Sequence, residues 1–189
     1  AKKPLLINNL KKIIKAIDEE KKEGDRDRAL ILIGFAGGFR RSELVNILKE
    51  DVELVDEGVK ILIKKSKTDQ SGEGSIKAIP YFQNQEFCPV IALKKYMSLK
   101  KFNSNSEKIF KLSDKSVALI IKKYAQIAGL DPTKYAGHSL RSGFATTAAE
   151  FGAEERNIMT MTGHKTTQMV RRYIKEANSF KNNALNKIE

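Results

Sequence analysis

Residues 52–80 read VELVDEGVKILIKKSKTDQSGEGSIKAIP, and this stretch decides the fold class. It holds three short runs rich in β-branched residues: Val52 to Val55, Val59 to Ile63 and Ile76 to Ile79. Asp56-Glu57-Gly58 supplies a turn between the first two, and Pro80, which has no amide hydrogen for a ladder, closes the third. The segment from Lys64 to Ser75 is polar and glycine-rich, which predicts an exposed loop between strands two and three. Short strands joined by local turns pair antiparallel, so the reading is a small three-stranded antiparallel sheet.

Helical patterns flank this sheet on both sides. Before it, Leu10, Ile13, Ile14 and Ile17 recur at helical spacing, with Asn8 or Asn9 as N-cap. A second helix runs from about Asp25 through Ala36 and stops at Gly37-Gly38. A short third one starts near Arg41 or Ser42 and carries Leu44, Ile47 and Leu48. After the sheet, helices are predicted near Val90 to Lys100, Lys115 to Ala128, Ser139 to Phe151, Ala153 to Met161 and Thr167 to Tyr173. A last one is predicted over Asn178 to Ile188. The class is α+β, mainly α-helical with the small sheet, and 189 residues suit a single domain.

Composition narrows the partner. Thirty-five Lys and Arg against 23 Asp and Glu give a net charge of +12 and a pI near 9.7. A field of that sign attracts polyanions, nucleic acid foremost. One cysteine, Cys88, excludes an intramolecular disulfide and a multi-cysteine zinc site; beside Pro89 it reads as a small buried hydrophobe. The longest apolar run, Ala29 to Phe39, is too short for a bilayer, and no signal-peptide pattern opens the chain. No membrane association is expected, and the default location is cytoplasmic, associated with the nucleoid in a bacterium. The opening Ala1-Lys2-Lys3-Pro4 reads as the start of a piece of something longer.

Phosphodiester chemistry without metal needs fixed cations for the charge on the non-bridging oxygens. Arginine suits this, because its planar fork grips two oxygens and stays protonated. Candidates are Arg40 and Arg41 past the Gly-Gly helix end, Arg141 after His138, and the pair Arg171-Arg172. A tyrosine hydroxyl can act as nucleophile where its deprotonation is favoured, and Tyr173 stands beside positive charge. A leaving 5′ oxygen needs a proton, which a loop lysine can deliver. Taken singly these residues have ordinary uses. A tyrosine packs, an Arg-Arg pair is a solvated face, and a histidine such as His138 or His164 is a hydrogen-bonded structural residue.

Their order along the chain is more specific. Gly38-Phe39-Arg40-Arg41-Ser42-Glu43-Leu44, Gly137-His138-Ser139-Leu140-Arg141-Ser142-Gly143 and Thr162-Gly163-His164 resemble the first-arginine, His-x-x-Arg and Leu-Gly-His boxes of the tyrosine recombinases, or phage integrases. Tyr173 follows His164 by nine positions, and Ser66-Lys67-Thr68 resembles the β-hairpin lysine of that family. The resemblance runs from near Leu5 to about Asn183.

It implies a catalytic-domain fold and a role for each matched residue. Arg40 and Arg141 would clamp the scissile phosphate, with His164 hydrogen-bonding to it. Lys67 would be the general acid, with Lys65 the fallback. His138 would help accept the nucleophile's proton, and Tyr173 would form a 3′-phosphotyrosyl bond. Glu43 would orient the arginine-bearing turn. No cofactor or metal is implied. The implied partner is double-stranded DNA, bound by a homotetramer on two duplexes that is weakly associated or monomeric without DNA, in a protein of bacterial or phage origin. Residues 175–189 would form a tail helix that packs on its own domain or on a neighbour.

There are departures from the family pattern. Thr162 stands where the family has leucine, a change expected to affect packing rather than chemistry. The loop offers four lysines around it, Lys60, Lys64, Lys65 and Lys67, and the family's helical core-binding domain has no counterpart before Leu5. Competing classes are a type IB topoisomerase, a metal-dependent nuclease or transposase, and a DNA-binding module without catalysis. The acids Asp25, Asp27, Asp51, Glu53 and Asp56 scatter over helix starts and turns rather than clustering as metal ligands. Binding through phosphates releases counterions, so DNA affinity should fall linearly with salt on a double-logarithmic plot. A flat response in a fluorescence-anisotropy titration would contradict a domain that grips the backbone.

Overall fold

α2 (Gly24–Ala36) is apolar around nearly its whole circumference from Ala29 to Ala36, and a helix of that kind must be enclosed. In the computed structural model, which describes residues 2–64, 74–181 and 183–188, it is the enclosed helix of the main core. α1 (Ile7–Lys15) contributes Leu10, Ile13 and Ile14 to that core, and α4 (Pro89–Leu99) packs along α2 with Val90, Ala92 and Leu93. α5 (Asp114–Ile127) turns Val117, Ile120, Ile121 and Tyr124 inward. It is tied to α2 by a polar link: the Tyr124 hydroxyl donates to Asp27 Oδ2 at 2.8 Å, while Arg26 donates to Oδ1 through Nε and Nη2. Burial and the Asp27 carboxylate push the Tyr124 phenol well above its usual range, so it remains a donor at any physiological pH.

The sheet has the order β1-β2-β3, antiparallel throughout, from β1 (Val52–Val55), β2 (Gly58–Ile63) and β3 (Ser75–Pro80). Val52 pairs with Ile61, and Ile63 with Ser75. Val59, Ile61 and Ile63 point inward and Lys60 and Leu62 outward, the period of two expected when one face meets a core. On β3 the inward residues are Lys77 and Ile79, so a lysine occupies a core-facing position while Ile76 is 64% exposed.

The mainly helical architecture and the sheet match the reading from sequence, and three local expectations do not hold. α1 begins at Ile7 with Leu6 at its N-cap and no side-chain cap, so Asn8 and Asn9 fall inside the helix, where Asn9 Nδ2 donates to the Tyr135 hydroxyl at 3.0 Å. α3 (Arg41–Val45) stops before Ile47 and Leu48, whose neighbourhood pairs with residues 105–109: Lys49 N–H donates to Glu107 O and Ile109 N–H to Ile47 O. The predicted helix over 178–188 is not formed. α8 (Thr167–Ala177) runs on through Lys175 to Ala177, and a 3₁₀ turn covers Ala184–Lys187. Phe180, Leu185 and Ile188 in that tail are exposed, so its apolar edge does not pack on the domain's own core. Cys88 is buried as expected.

α6 (Ser139–Glu150), α7 (Glu155–Thr162) and α8 meet in a second, smaller cluster of Ala145, Ala149, Ile158 and Val170. Val170 is the buried residue of α8; Tyr173, Ile174 and Ala177 are partly covered. Few buried contacts mean low local opening energy. Amides of α8 should therefore exchange with deuterium much faster than those of α2. Val170→Ala, removing about 2 kcal/mol of apolar burial, should speed α8 further without touching α2. Equal protection of the two helices in native-state exchange would refute this division.

Candidate active site

The site is assembled from three turns and one strand. The first turn leaves α2 through Gly37 and Gly38; Gly38 has φ +57°, a left-handed conformation that side-chain-bearing residues adopt at a cost. This turn delivers Arg40 to the start of α3. There Glu43 holds it twice, accepting from the Arg40 backbone N–H at 2.8 Å and from Nη1 at 2.8 Å. The Arg40 side chain is still 39% exposed, so the guanidinium is oriented without being enclosed.

The second contribution is Arg141 on α6, which is 3% exposed and donates through Nη1 to Gly38 O at 3.0 Å. The carbonyl thus joins the second arginine to the turn that carries the first. Burial and the nearby Arg40 charge push Arg141 down to about 10, with Glu43 opposing, so it is still a cation at neutral pH. His138, at the N-cap of the same helix, is partly exposed; burial and the charges of Arg141 and Arg41 lower its pKa.

The third turn ends α7. Gly163, at φ +67°, caps the helix and passes the chain to His164, which is buried. His164 is pushed down to about 4, first by burial and then by Arg141, Arg40, His138 and Lys77. Its ring lies 5.9 Å, centroid to centroid, from that of Tyr173 on α8, tilted by 46°. Burial raises the Tyr173 phenol; Arg141 and Arg172 pull it down and Glu176 adds to the rise. The net direction is upward, against the expectation that neighbouring positive charge favours its deprotonation.

Arg40, His138, Arg141, His164 and Tyr173 are therefore gathered around one locality. The other candidate arginines, Arg41, Arg171 and Arg172, lie exposed at its edge. Arg171 is bound at the surface to Glu155 at 3.2 Å, and Arg172 reaches Glu176 at 3.6 Å. Arg41 is exposed. Lys67 and Lys65 lie outside the described residues; Lys64, just before them, is paired with Glu50 and Asp51. Among the described residues, no three His, Cys, Asp or Glu side chains converge as metal ligands would.

One residue of the site was missed in the sequence. Lys77, on β3, is buried and donates from Nζ to Gly37 O at 2.7 Å and to Met161 O, with the Phe39 ring centroid at 4.7 Å. It ties the turn before Arg40 to the end of α7 before His164. With Arg40, Glu43, Thr162, Gly163 and Lys165 it lines an open cleft of about 210 Å³. The signal was available: Ile79 must face the core, and the period of two then turns Lys77 inward and Ile76 out.

The chain as a whole is similar to known proteins. The model of the "Phage integrase family" matches residues 3–179, and this chain belongs to that family. An "Integrase/recombinase xerD homolog" of Selenomonas ruminantium is 48% identical over 99% of the chain and 58% of its own length. "Tyrosine recombinase XerA" of Thermococcus kodakarensis is 29% identical over 92% of the chain, again 58% of the relative. The chain thus spans a little over half the length of these relatives. Among solved structures, the XerH site-specific recombinase in a pre-cleavage complex with difH substrate superposes with a TM-score of 0.73 at 22% identity, over 95% of this chain and 53% of that one.

Lys77 gives this geometry a pH signature. Burial lowers its pKa from 10.5 to about 8, with Arg141 and Arg40 adding to the fall and Glu43 opposing. Above pH 8 the folded state sheds this proton while the unfolded chain keeps it, so stability contributed at this position rises with pH until about 10.5. The neutral amine keeps two hydrogens for its two carbonyls. Denaturant titrations from pH 7 to 10.5 should show the wild type gaining on the order of 3 kcal/mol relative to Lys77→Met. A difference that does not change with pH would rule out the buried ammonium.

Proposed function

We propose that residues 1–189 are a single catalytic domain of a tyrosine site-specific recombinase, which cuts and rejoins double-stranded DNA through a covalent 3′-phosphotyrosyl bond to Tyr173. The observation that carries this reading is the gathering of Arg40, Arg141, His164 and Tyr173: Arg141 bonds to the turn that delivers Arg40, and the His164 ring, within the field of both arginines, lies against that of Tyr173.

Each role has a physical basis. Arg40 and Arg141 present guanidinium N–H groups to the non-bridging oxygens, where charge grows in the transition state. Both are oriented before substrate arrives, Arg40 by Glu43 and Arg141 by Gly38 O. His164 adds a hydrogen bond to the same phosphate, and His138 helps to accept the phenol proton. The Tyr173 oxygen bonds to phosphorus as the bond from phosphorus to the 5′ oxygen breaks. Lys67, or Lys65 in its place, supplies a proton to that 5′ oxygen. One phosphodiester is exchanged for another of similar energy, so resealing needs no cofactor, and attack by a different strand's 5′ hydroxyl is recombination.

Burial raises the Tyr173 phenol above its ordinary range, so the hydroxyl enters the reaction carrying its proton and needs an acceptor for it. The net charge of +12 supports an anionic partner of extended shape. In the assembled state we place four copies on two duplexes, with weak association or monomers in the absence of DNA, in the bacterial cytoplasm and on the nucleoid. Among the described residues no helix is long and apolar enough to cross a membrane.

Nicked suicide duplexes drawn from DNA flanking the gene, incubated with protein in EDTA and quenched with SDS, should yield a slowly migrating covalent adduct. Tyr173→Phe should yield none while binding the duplex with nearly the wild-type affinity, since a single hydroxyl is lost. An adduct that survives in Tyr173→Phe would overturn the assignment of the nucleophile, and an adduct that requires magnesium would overturn the metal-free mechanism.

A further inference from the structure

Thr162 was expected to matter for packing alone, and its hydrogen bonds say otherwise. It is buried at the end of α7, and its Oγ1 lies 2.8 Å from Ile158 O and 2.6 Å from His164 Nδ1. The hydroxyl has one hydrogen. Ile158 O can only accept, so that hydrogen goes to the carbonyl; sent to Nδ1 instead, it would leave two oxygen acceptors facing each other at 2.8 Å in the interior. Toward the imidazole, Thr162 therefore presents a lone pair, and a lone pair at 2.6 Å calls for a hydrogen on Nδ1.

We propose that Thr162 is a positioning residue that fixes His164 in the tautomer carrying its hydrogen on Nδ1, so that Nε2 enters the reaction as a proton acceptor. The tautomer follows from the geometry, and its use in strand cleavage rests on the function proposed above.

The surroundings keep this acceptor free. Arg141 from α6, Arg40 ahead of α3, Lys77 from β3 and His138 at the N-cap of α6 all oppose a positive charge on the ring, while Tyr173 faces it from α8. With burial they hold His164 at about 4, so in DNA-free protein the ring is neutral at pH 7. A neutral ring with hydrogen on Nδ1 cannot donate to a phosphate oxygen through Nε2. It becomes a donor there only after taking up a proton from the surrounding water, and a bound phosphate, by offsetting Arg40 and Arg141, makes that uptake easier. Thr162 then accepts from Nδ1–H in both protonation states, so the ring gains a proton without turning. A leucine or valine in this position has no lone pair to offer, and Nδ1 would lose its fixed partner.

The chain has two histidines, which makes the test direct. In ¹⁵N-histidine-labelled protein at pH 7 without DNA, long-range ¹H–¹⁵N spectra should show His164 with a protonated Nδ1 and a bare Nε2; comparison with His138→Gln assigns the signals. Thr162→Ser should preserve that pattern. Thr162→Val should move the population toward hydrogen on Nε2 and slow adduct formation by about ten- to a hundredfold, as loss of a residue orienting a histidine does elsewhere. A wild-type ring with hydrogen on Nε2, an imidazolium at pH 7, or an unchanged tautomer in Thr162→Val would overturn the inference. Should Thr162→Val not fold, the wild-type and Thr162→Ser spectra decide alone. An altered tautomer with an unchanged cleavage rate would remove Thr162 from the reaction. The inferred tautomer in wild-type protein that forms no adduct on any substrate would support the hydrogen bond and sink the recombinase reading instead.

Discussion

The guanidinium of Arg141 is driven into the interior on α6 and ends on the carbonyl oxygen of Gly38, and the placement of the whole site depends on that contact. A buried cation needs an acceptor, since an isolated one is far more costly than the packing it displaces. Here the acceptor is a peptide carbonyl of the turn that holds Arg40. Next to it, the carbonyl of Gly37 serves Lys77 in the same way. Two successive glycines thus turn their carbonyls toward cations from a helix and from a strand that are remote in sequence. This is why the first-arginine box, the strand and the His-x-x-Arg box have one relative position rather than several.

Neutral carbonyl groups satisfy hydrogen bonds without cancelling charge. Had carboxylates held Arg141 and Lys77, the site would be close to neutral and would have little left for a phosphate. As built, Glu43 offsets part of the charge and orients Arg40, and among the described residues no other carboxylate pairs with Arg40, Arg141 or Lys77. The same excess appears in the titrations of its members. Arg141, Lys77 and His164 are each lowered first by burial and then by neighbouring cations, Arg40 acting on all three and Arg141 on the other two. A site in this condition carries electrostatic strain that a bound polyanion would relieve.

Much of this was legible in the chain. The β-branched runs around Asp56-Glu57-Gly58 gave the sheet, because alternation and turn residues are local signals, and Gly37-Gly38 marked the end of α2. Arg40, Arg141, His164 and Tyr173 stood out by order and spacing. Lys77 was hidden because a lysine in a strand is ordinarily a solvated residue; its inward direction is a matter of register with Ile79, and its partners are backbone atoms that carry no sequence signature. Thr162 was read as a packing change for a related reason: which atom a buried hydroxyl meets is decided by the helix end and the Gly163 turn together. The short α3 and the missing tail helix were lost to tertiary pairing and to the absence of a surface for Phe180, Leu185 and Ile188 to cover.

The two cores divide the work. Arg40, Arg141 and Lys77 are fastened by hydrogen bonds at the edge of the large cluster around α2, where Phe39 and Leu140 belong to the packing. Tyr173 rides on α8, held mainly through Val170 in the small cluster with Ala145, Ala149 and Ile158. His164 stands at the joint, since Thr162 anchors it to α7 while its ring meets that of Tyr173. A phosphate-binding frame must be rigid to stabilise charge before it forms, because reorganisation during the reaction would cancel the gain. A nucleophile has the opposite requirement: it must approach phosphorus, hold it through a covalent intermediate and withdraw when another strand attacks. In the function proposed above, placing the cations in the large core and the tyrosine on a lightly held helix meets both requirements.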